Sequence, residues 1–179
     1  MAETPQVQAS PTAALTRDVL DEVRALLTEA FDGDFDDHDF THCLGGTHLL
    51  LRLGGVLVGH VAVVPRRLYV AEERLSCGYV EAVAVSPSRQ GKGLGRLLME
   101  AADLVVRGSF EVGALSTGAP GFYERLGWIR WQGPSHVVDG DFWVRTPDED
   151  DGVMVLDWVA PGLDARARIA VDRRVGDSW

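Results

Sequence analysis

The sequence is short of cysteine, of basic residues and of long apolar runs. Cys43 and Cys77 are its only cysteines. That is too few for a disulfide framework, so buried free thiols and a cytoplasmic location are expected. Lys and Arg number 17 against 27 Asp and Glu, a formal net charge of −10, which argues against a nucleic-acid partner. No apolar run approaches the roughly 18 residues that span a bilayer, so no membrane partner is expected. The opening MAETPQVQASPTAA lacks the basic and apolar regions of a secretory signal. Its composition predicts a flexible tail over residues 1–14, ahead of a single domain over residues 15–179.

What charge there is lies unevenly. DGDFDDHD (32–39) and DEDD (148–151) are acidic runs, whereas Arg89, Lys92 and Arg96 surround a glycine-rich turn. Two regions suit a cation and one suits an anion.

Thr16 is a candidate N-cap, and Val19, Leu20, Val23, Leu26, Leu27 and Ala30 follow at helical spacing. HLLLRL (48–53), Gly54-Gly55 and VLVGHVAVV (56–64) predict a hairpin. A further strand, a turn and a long strand ending near Val85 come next. A second helix carries Leu94, Leu97, Leu98, Ala101, Leu104 and Val105 on one face and stops at Gly108. FEVGALST (110–117) predicts a strand and PGFYERLG (120–127) a short helix. WIRW, HVVDGDFWVR and VMVLDWV (153–159) are strand-like. The order is that of one mixed α/β domain.

The turn RQGKGLGRLL (89–98) has the composition of a phosphate cradle. A P-loop requires G-x-x-x-x-G-K-[ST], but Gly93 follows Lys92 and Ser86 replaces the first glycine. A dinucleotide fingerprint requires G-x-G-x-x-G directly after a strand, but position 96 is arginine and a loop intervenes. What remains is Gln90, Gly93 and Gly95 opening an amphipathic helix, with backbone amides able to receive an anion. The competing reading is a glycine-rich helix entry with solvated arginines.

YVEAVAVSPSRQGKGLGRLLMEAA, followed by FYERLGW, resembles the GCN5-related N-acetyltransferases. The resemblance implies an α+β fold: a central, mixed, mostly antiparallel sheet flanked by helices and splayed at the acetyl-CoA strand. It implies acetyl-CoA as cosubstrate and no metal. Val83, Ala84 and Val85 would meet pantetheine through the backbone. Arg89, Gln90, Gly91, Lys92, Gly93, Leu94, Gly95 and Arg96 would hold the pyrophosphate. FDGDFDDHDFTHCLGGTH, GYVEAVAV, RTPDEDDG and the final GDSW resemble the aminoglycoside 2'-N-acetyltransferases more specifically.

An amine that attacks a thioester must first lose its proton, so the site needs a base. Alternation puts Glu81, Val83 and Val85 on one face of a strand, and Glu81 is the candidate base. The competing reading pairs it with Arg66 or Arg67. Tyr123 is the proton donor to the departing thiolate that the resemblance implies; otherwise it is an amphipathic core tyrosine. The stretch from Ser116 to Tyr123 is shorter than the resemblance calls for, and the 148–151 loop is longer. Aminoglycosides are polycations, and carboxylates suit them. The resemblance assigns the acceptor to Asp34, Asp39, Glu81, Ala82, Ser116, Glu149, Asp150, Asp177 and Trp179, against the competing reading of solvated acidic loops. Transfer would be direct, through a tetrahedral intermediate, since neither cysteine sits in a nucleophile motif. His38, His42, Cys43 and His48 fit no common zinc spacing. The rivals are the same fold acting on another cationic amine, and a non-catalytic acyl-CoA-binding regulator. Members of the family often dimerise, and the aromatic-rich strands over 128–144 are the candidate homodimer surface.

Overall fold

The computed structural model describes residues 3–158 and 162–179. They group into two compact units, one of residues 3–64 with Val80–Val105, the other of Pro65–Tyr79 with Val106–Trp179.

In the first unit, α1 (Arg17–Ala30) starts where the Thr16 hydroxyl accepts the Val19 N–H. Its Val23, Leu26 and Leu27 are buried, each worth about 1.5–3 kcal/mol when fully removed from water. Val23 and Leu27 pack with Leu50 and Ala84, and Leu15, Val19, Phe35, Phe40, Leu57 and Ala82 close around them. The acidic run is not all loop: α2 (Asp37–His42) begins inside it, capped by Asp36. Strands β2 (Thr47–Leu53) and β3 (Val56–Val70) form the expected hairpin. Gly54 and Gly55 have φ of 55° and 84°, the two left-handed positions that a two-residue turn needs.

Residues 1–14 were expected to fray, yet β1 (Gln6–Pro11) pairs antiparallel with β2 from Gln6↔Arg52 to Pro11↔Thr47. Only Ser10 of β1 is buried, so backbone hydrogen bonds to an open strand edge hold it rather than an apolar pattern. The separate strand expected after Pro65 is instead the continuation of β3. Pro65 has no N–H to offer, but pairing with β2 ends at Val63, before it.

Strand β4 (Glu73–Val85) leads to α3 (Leu94–Ser109). The buried line along α3 is Leu94, Leu98, Ala102 and Val106, joined by Met99, while Leu104 is exposed. The expected face was thus rotated. Apolar residues cover well over half of this helix, opposite the strip of Arg96, Glu100, Asp103 and Arg107, and within that wide face the i, i+4 row turns inward. The helix also passes Gly108 to end at Ser109.

The second unit contains β5 (Val112–Ser116), α4 (Pro120–Glu124), β6 (Ile129–Arg130), β7 (Ser135–Asp139), β8 (Phe142–Arg145), β9 (Val153–Leu156) and β10 (Ile169–Asp172). The strand order there is β6-β9-β5-β4-β3-β10-β7-β8. β4 with β5 and β10 with β7 are parallel, whereas β6 with β9, β9 with β5, β3 with β10 and β7 with β8 are antiparallel. β4 pairs with β5 over Cys77–Tyr79 and itself runs on to Val85. Strand β9 ends at Leu156, short of the expected 159, because Asp157 turns to accept the Leu163 N–H at 2.6 Å; Val159 lies outside the described residues. Strand β10 was not expected. Cys43 and Cys77 are buried free thiols.

Candidate active site

The first unit carries the residues assigned to the cosubstrate. Ala82, inside β4, has φ of 48°, a left-handed conformation that costs a non-glycine residue about 1 kcal/mol or more. It breaks the simple alternation expected through Glu81, Val83 and Val85, and Ala82 packs beside Ala84 in the α1 core. Beyond β4, the Gly93 carbonyl accepts the Leu97 N–H at 3.1 Å and so begins α3. The first-turn amides of α3 are left with no intrahelical acceptor, which favours an anion. Gly91 and Gly93 have φ of 73° and 78°, and nothing lies within 4 Å of where a Cβ would stand on either. The turn is therefore open above its backbone.

Several side chains around the turn have protein partners. The Gln90 amide donates to the Val85 carbonyl at 3.1 Å, folding the loop onto the strand end. Arg96 pairs with Glu100 at 2.7 Å, one turn along α3. Lys92 is exposed and Arg89 half-buried.

In the acidic run, Asp34 is exposed. Asp39 closes a capping box, its Oδ2 accepting the Asp36 N–H at 3.0 Å. Asp37 pairs with Arg24. His48 is fully buried, between Thr12 and His60. Among the described residues no group of three His, Cys, Asp or Glu is arranged to hold a metal ion.

The second unit carries Tyr123 and the acceptor residues after Ser116. Tyr123 is 8% exposed, edge-on to Phe122 and Trp128 with ring centroids at 4.9 and 6.2 Å. Burial pushes its phenol up to about 12, against a hydrogen bond with Thr117 that draws it down. The group stays protonated at neutral pH, as a donor must. Complete transfer of its proton to a thiolate is uphill, since thiols ionise near 8.5; a phenol so held can instead hydrogen-bond a developing negative charge.

The 147–151 loop separates Glu149 from Asp150. Ser116 Oγ donates to Glu149 Oε2 at 2.8 Å. Glu149 and Asp148 border two cavities, of about 360 Å³ with Thr146, Asp177 and Trp179, and of about 630 Å³ with Ser116, Thr117 and Asp151. Asp150 lines neither of them. Arg145 binds both its oxygens, and Ser135 donates to it from N–H and hydroxyl at 2.9 and 2.8 Å. The Arg145 hydrogen bond foremost holds the Asp150 carboxyl down at about 2.

Trp179 was assigned to the acceptor, which calls for an exposed side chain. Instead the indole is 5% exposed and donates to Thr146 Oγ1 at 3.1 Å, and the Trp179 N–H donates to Asp177 Oδ1 at 3.0 Å. Arg174 reaches the Asp177 and Trp179 carbonyl oxygens at 2.7 and 3.2 Å. Asp148, Thr146, Thr117 and Arg174 were not singled out from sequence. Only Asp148, inside the acidic run, carried a signal there.

A model of the acetyltransferase (GNAT) family matches residues 16–128. An aminoglycoside 2'-N-acetyltransferase from Mycolicibacterium fortuitum is 43% identical over 173 residues, covering 94% of this chain and 89% of that one. Among solved structures, a GNAT family acetyltransferase from Brucella melitensis in complex with acetyl-CoA matches with a TM-score of 0.63 and 17% identity, over 94% of this chain and 96% of that one. The N-acetyltransferase YhbS from Escherichia coli, in complex with CoA, matches with a TM-score of 0.63 and 18% identity, over 96% and 91%. These structural likenesses speak for the fold, and the sequence matches for the descent: the chain belongs to the GNAT acetyltransferase family.

Proposed function

We propose that this protein transfers the acetyl group of acetyl-CoA to the 2'-amine of aminoglycosides. The observation that carries the reading is the reach of the 43% identity, which covers 94% of the chain, whereas the family model stops at residue 128. The similarity to an aminoglycoside 2'-N-acetyltransferase thus extends well past residue 128 and takes in the loop holding Glu149. The acidic borders of the two cavities suit a polycation.

In this reading the α3 entry from Gln90 to Gly95 takes the pyrophosphate on backbone amides. Val83, Ala84 and Val85 offer backbone to pantetheine; the Val85 carbonyl is shared with Gln90. Lys92 and Arg89 supply positive charge, and Arg96 does so at the expense of its Glu100 pair. Glu81 takes the proton of the attacking amine, the amine adds to the thioester carbonyl, and the tetrahedral intermediate expels the thiolate of CoA. Tyr123 stabilises that thiolate by a hydrogen bond. Asp34, Asp39 and Glu149 bind the ammonium groups of the acceptor, with Ser116, Ala82, Asp177 and Trp179 shaping the site. Asp150 shapes it through Arg145 rather than by direct contact. A homodimer belongs to the same reading: Phe142 and Val144, on the edge strand β8, are 75% and 44% exposed. So does a cytoplasmic location, where acetyl-CoA is available.

The test is CoA release with a panel of aminoglycosides with and without a 2'-amine, plus polyamines and peptides. Release only with compounds bearing the 2'-amine is expected. Release with polyamines or peptides instead moves the acceptor elsewhere, and acetyl-CoA binding without release for any amine makes the protein a regulator.

A further inference from the structure

Two fully buried histidines are left over by the proposed chemistry. His48 and His60 are both 0% exposed. They form the middle of a continuous chain of contacts: Thr12 Oγ1 to His48 Nε2 at 2.9 Å, His48 Nδ1 to His60 Nε2 at 2.9 Å, and His60 Nδ1 to the Ala82 carbonyl at 3.0 Å. The chain ends on the one residue of β4 with positive φ, directly between Glu81 and Val83.

The direction of every bond follows from its last member. A carbonyl only accepts, so His60 Nδ1 carries the hydrogen. A neutral imidazole has one N–H, so His60 Nε2 accepts, and His48 Nδ1 must donate to it. His48 Nε2 is then an acceptor, and the Thr12 hydroxyl is its donor. The Gly46 carbonyl, 3.2 Å from Thr12 Oγ1, competes for that hydroxyl proton. If it won, His48 would have to donate through Nε2, and the reversal would run down the chain until two acceptors met at Ala82. The Gly45 N–H, donating to Thr12 Oγ1 at 3.0 Å, occupies one of the two hydroxyl lone pairs. Burial lowers the basicity of both rings, His60 to about 3, so both remain neutral.

We propose that Thr12, His48 and His60 form a one-way hydrogen-bond chain that fixes the Ala82 carbonyl and thereby the bend in β4 that orients Glu81 and Val83. His48 and His60 are thus positioning residues for acetyl transfer, and Thr12, at the far end, sets their tautomers. The inference rests on the proposed function only in treating β4 as the acetyl-transfer strand. The physical logic is that a left-handed alanine is unfavourable by itself and persists where surrounding bonds hold it. Turning its carbonyl to a buried donor rotates the adjoining peptide units, which carry the flanking residues.

The experiment uses Thr12→Val, which keeps side-chain volume and removes the hydroxyl, and Thr12→Ser, which restores it. Imidazole nitrogen NMR of the unmodified protein is expected to show His48 and His60 both neutral and both protonated at Nδ1. In Thr12→Val we expect that pattern to be lost, the Ala82 and Val83 amide resonances to move, and kcat to fall about tenfold, with the KM for acetyl-CoA within twofold. Thr12→Ser should restore all three. An Nε2–H tautomer or a cationic ring at either histidine in the unmodified protein overturns the chain. So does a Thr12→Val protein that melts earlier but keeps its kcat and its β4 amide resonances, because a purely structural role predicts that pattern. If the unmodified protein acetylates no amine, the function reading falls, while the tautomers and amide shifts still decide the chain.

Discussion

Arg145 holds Asp150 at both carboxylate oxygens, with Nη1 to Oδ1 at 2.8 Å. The pair braces the 147–151 loop against β8, and leaves the neighbouring Glu149 to line the cavities. A carboxyl lowered from 3.8 to about 2 corresponds to about 2.5 kcal/mol by linkage. With the Asp150 side chain 34% exposed, solvent screening reduces that to about 1 kcal/mol. The folded-state value is depressed, so the contribution is complete above the ordinary carboxylate range and disappears as the pH falls through about 2. Asp150→Asn should therefore be less stable by about 1 kcal/mol at pH 7. Urea denaturation should show the gap closing between about pH 4 and pH 2.

Glu149 and Asp150 are adjacent in sequence but differ in what they can bind. Glu149→Gln should raise the aminoglycoside KM roughly tenfold, the scale of one lost charge contact. The KM for acetyl-CoA should stay within about twofold. Steady-state kinetics on both substrates would settle this. An unchanged aminoglycoside KM would remove Glu149 from the acceptor site.

Glu81→Gln tests the base. Loss of general-base catalysis costs about a hundredfold or more in turnover, and calorimetric titration should find acetyl-CoA binding retained. Unchanged turnover would sink the assignment.

Tyr123→Phe should lower kcat about tenfold, the effect of one missing hydrogen bond to developing charge. Because burial holds the phenol at about 12, the loss should be uniform from about pH 6 to pH 10. The pH–rate profile is the measurement. A limb near pH 10 that vanishes in the variant would contradict the protonated-donor role.

Gly93→Ala tests the α3 entry. A Cβ meets no neighbour there, so any cost comes from φ alone, about 1 kcal/mol. Acetyl-CoA affinity should fall several-fold as the turn relaxes, read by the same titration, with little change in the aminoglycoside KM.

The sequence made the fold legible where a pattern was local. Thr16 with its helical run announced α1, Gly54-Gly55 announced the hairpin, and the glycines at 91–95 announced α3. It was silent where structure depends on a distant partner. Gln6–Pro11 has no apolar alternation and forms a strand because β2 offers an open edge. The buried row of α3 was misread because Leu97 and Leu104 are as apolar as Leu98. Among the candidate site residues, types and neighbourhoods were readable but partners were not. Nothing in DEDD distinguishes Asp150 from Glu149; Arg145, Ser135 and Ser116 do. Alternation through Glu81, Val83 and Val85 gave no hint of Ala82 at positive φ, a feature that two histidines remote in sequence support.

The buried cysteines bear on how such an enzyme is assayed. Reagents that detect CoA release react with thiolates, and burial pushes the Cys77 thiol up to about 12. Cys43 is 1% exposed and donates to the Asp39 carbonyl at 3.4 Å. In the folded protein neither sulfur competes for the reagent. The colour that develops is then a count of CoA released, and a slow rise in protein alone, without acetyl-CoA, would register unfolding of the protein itself.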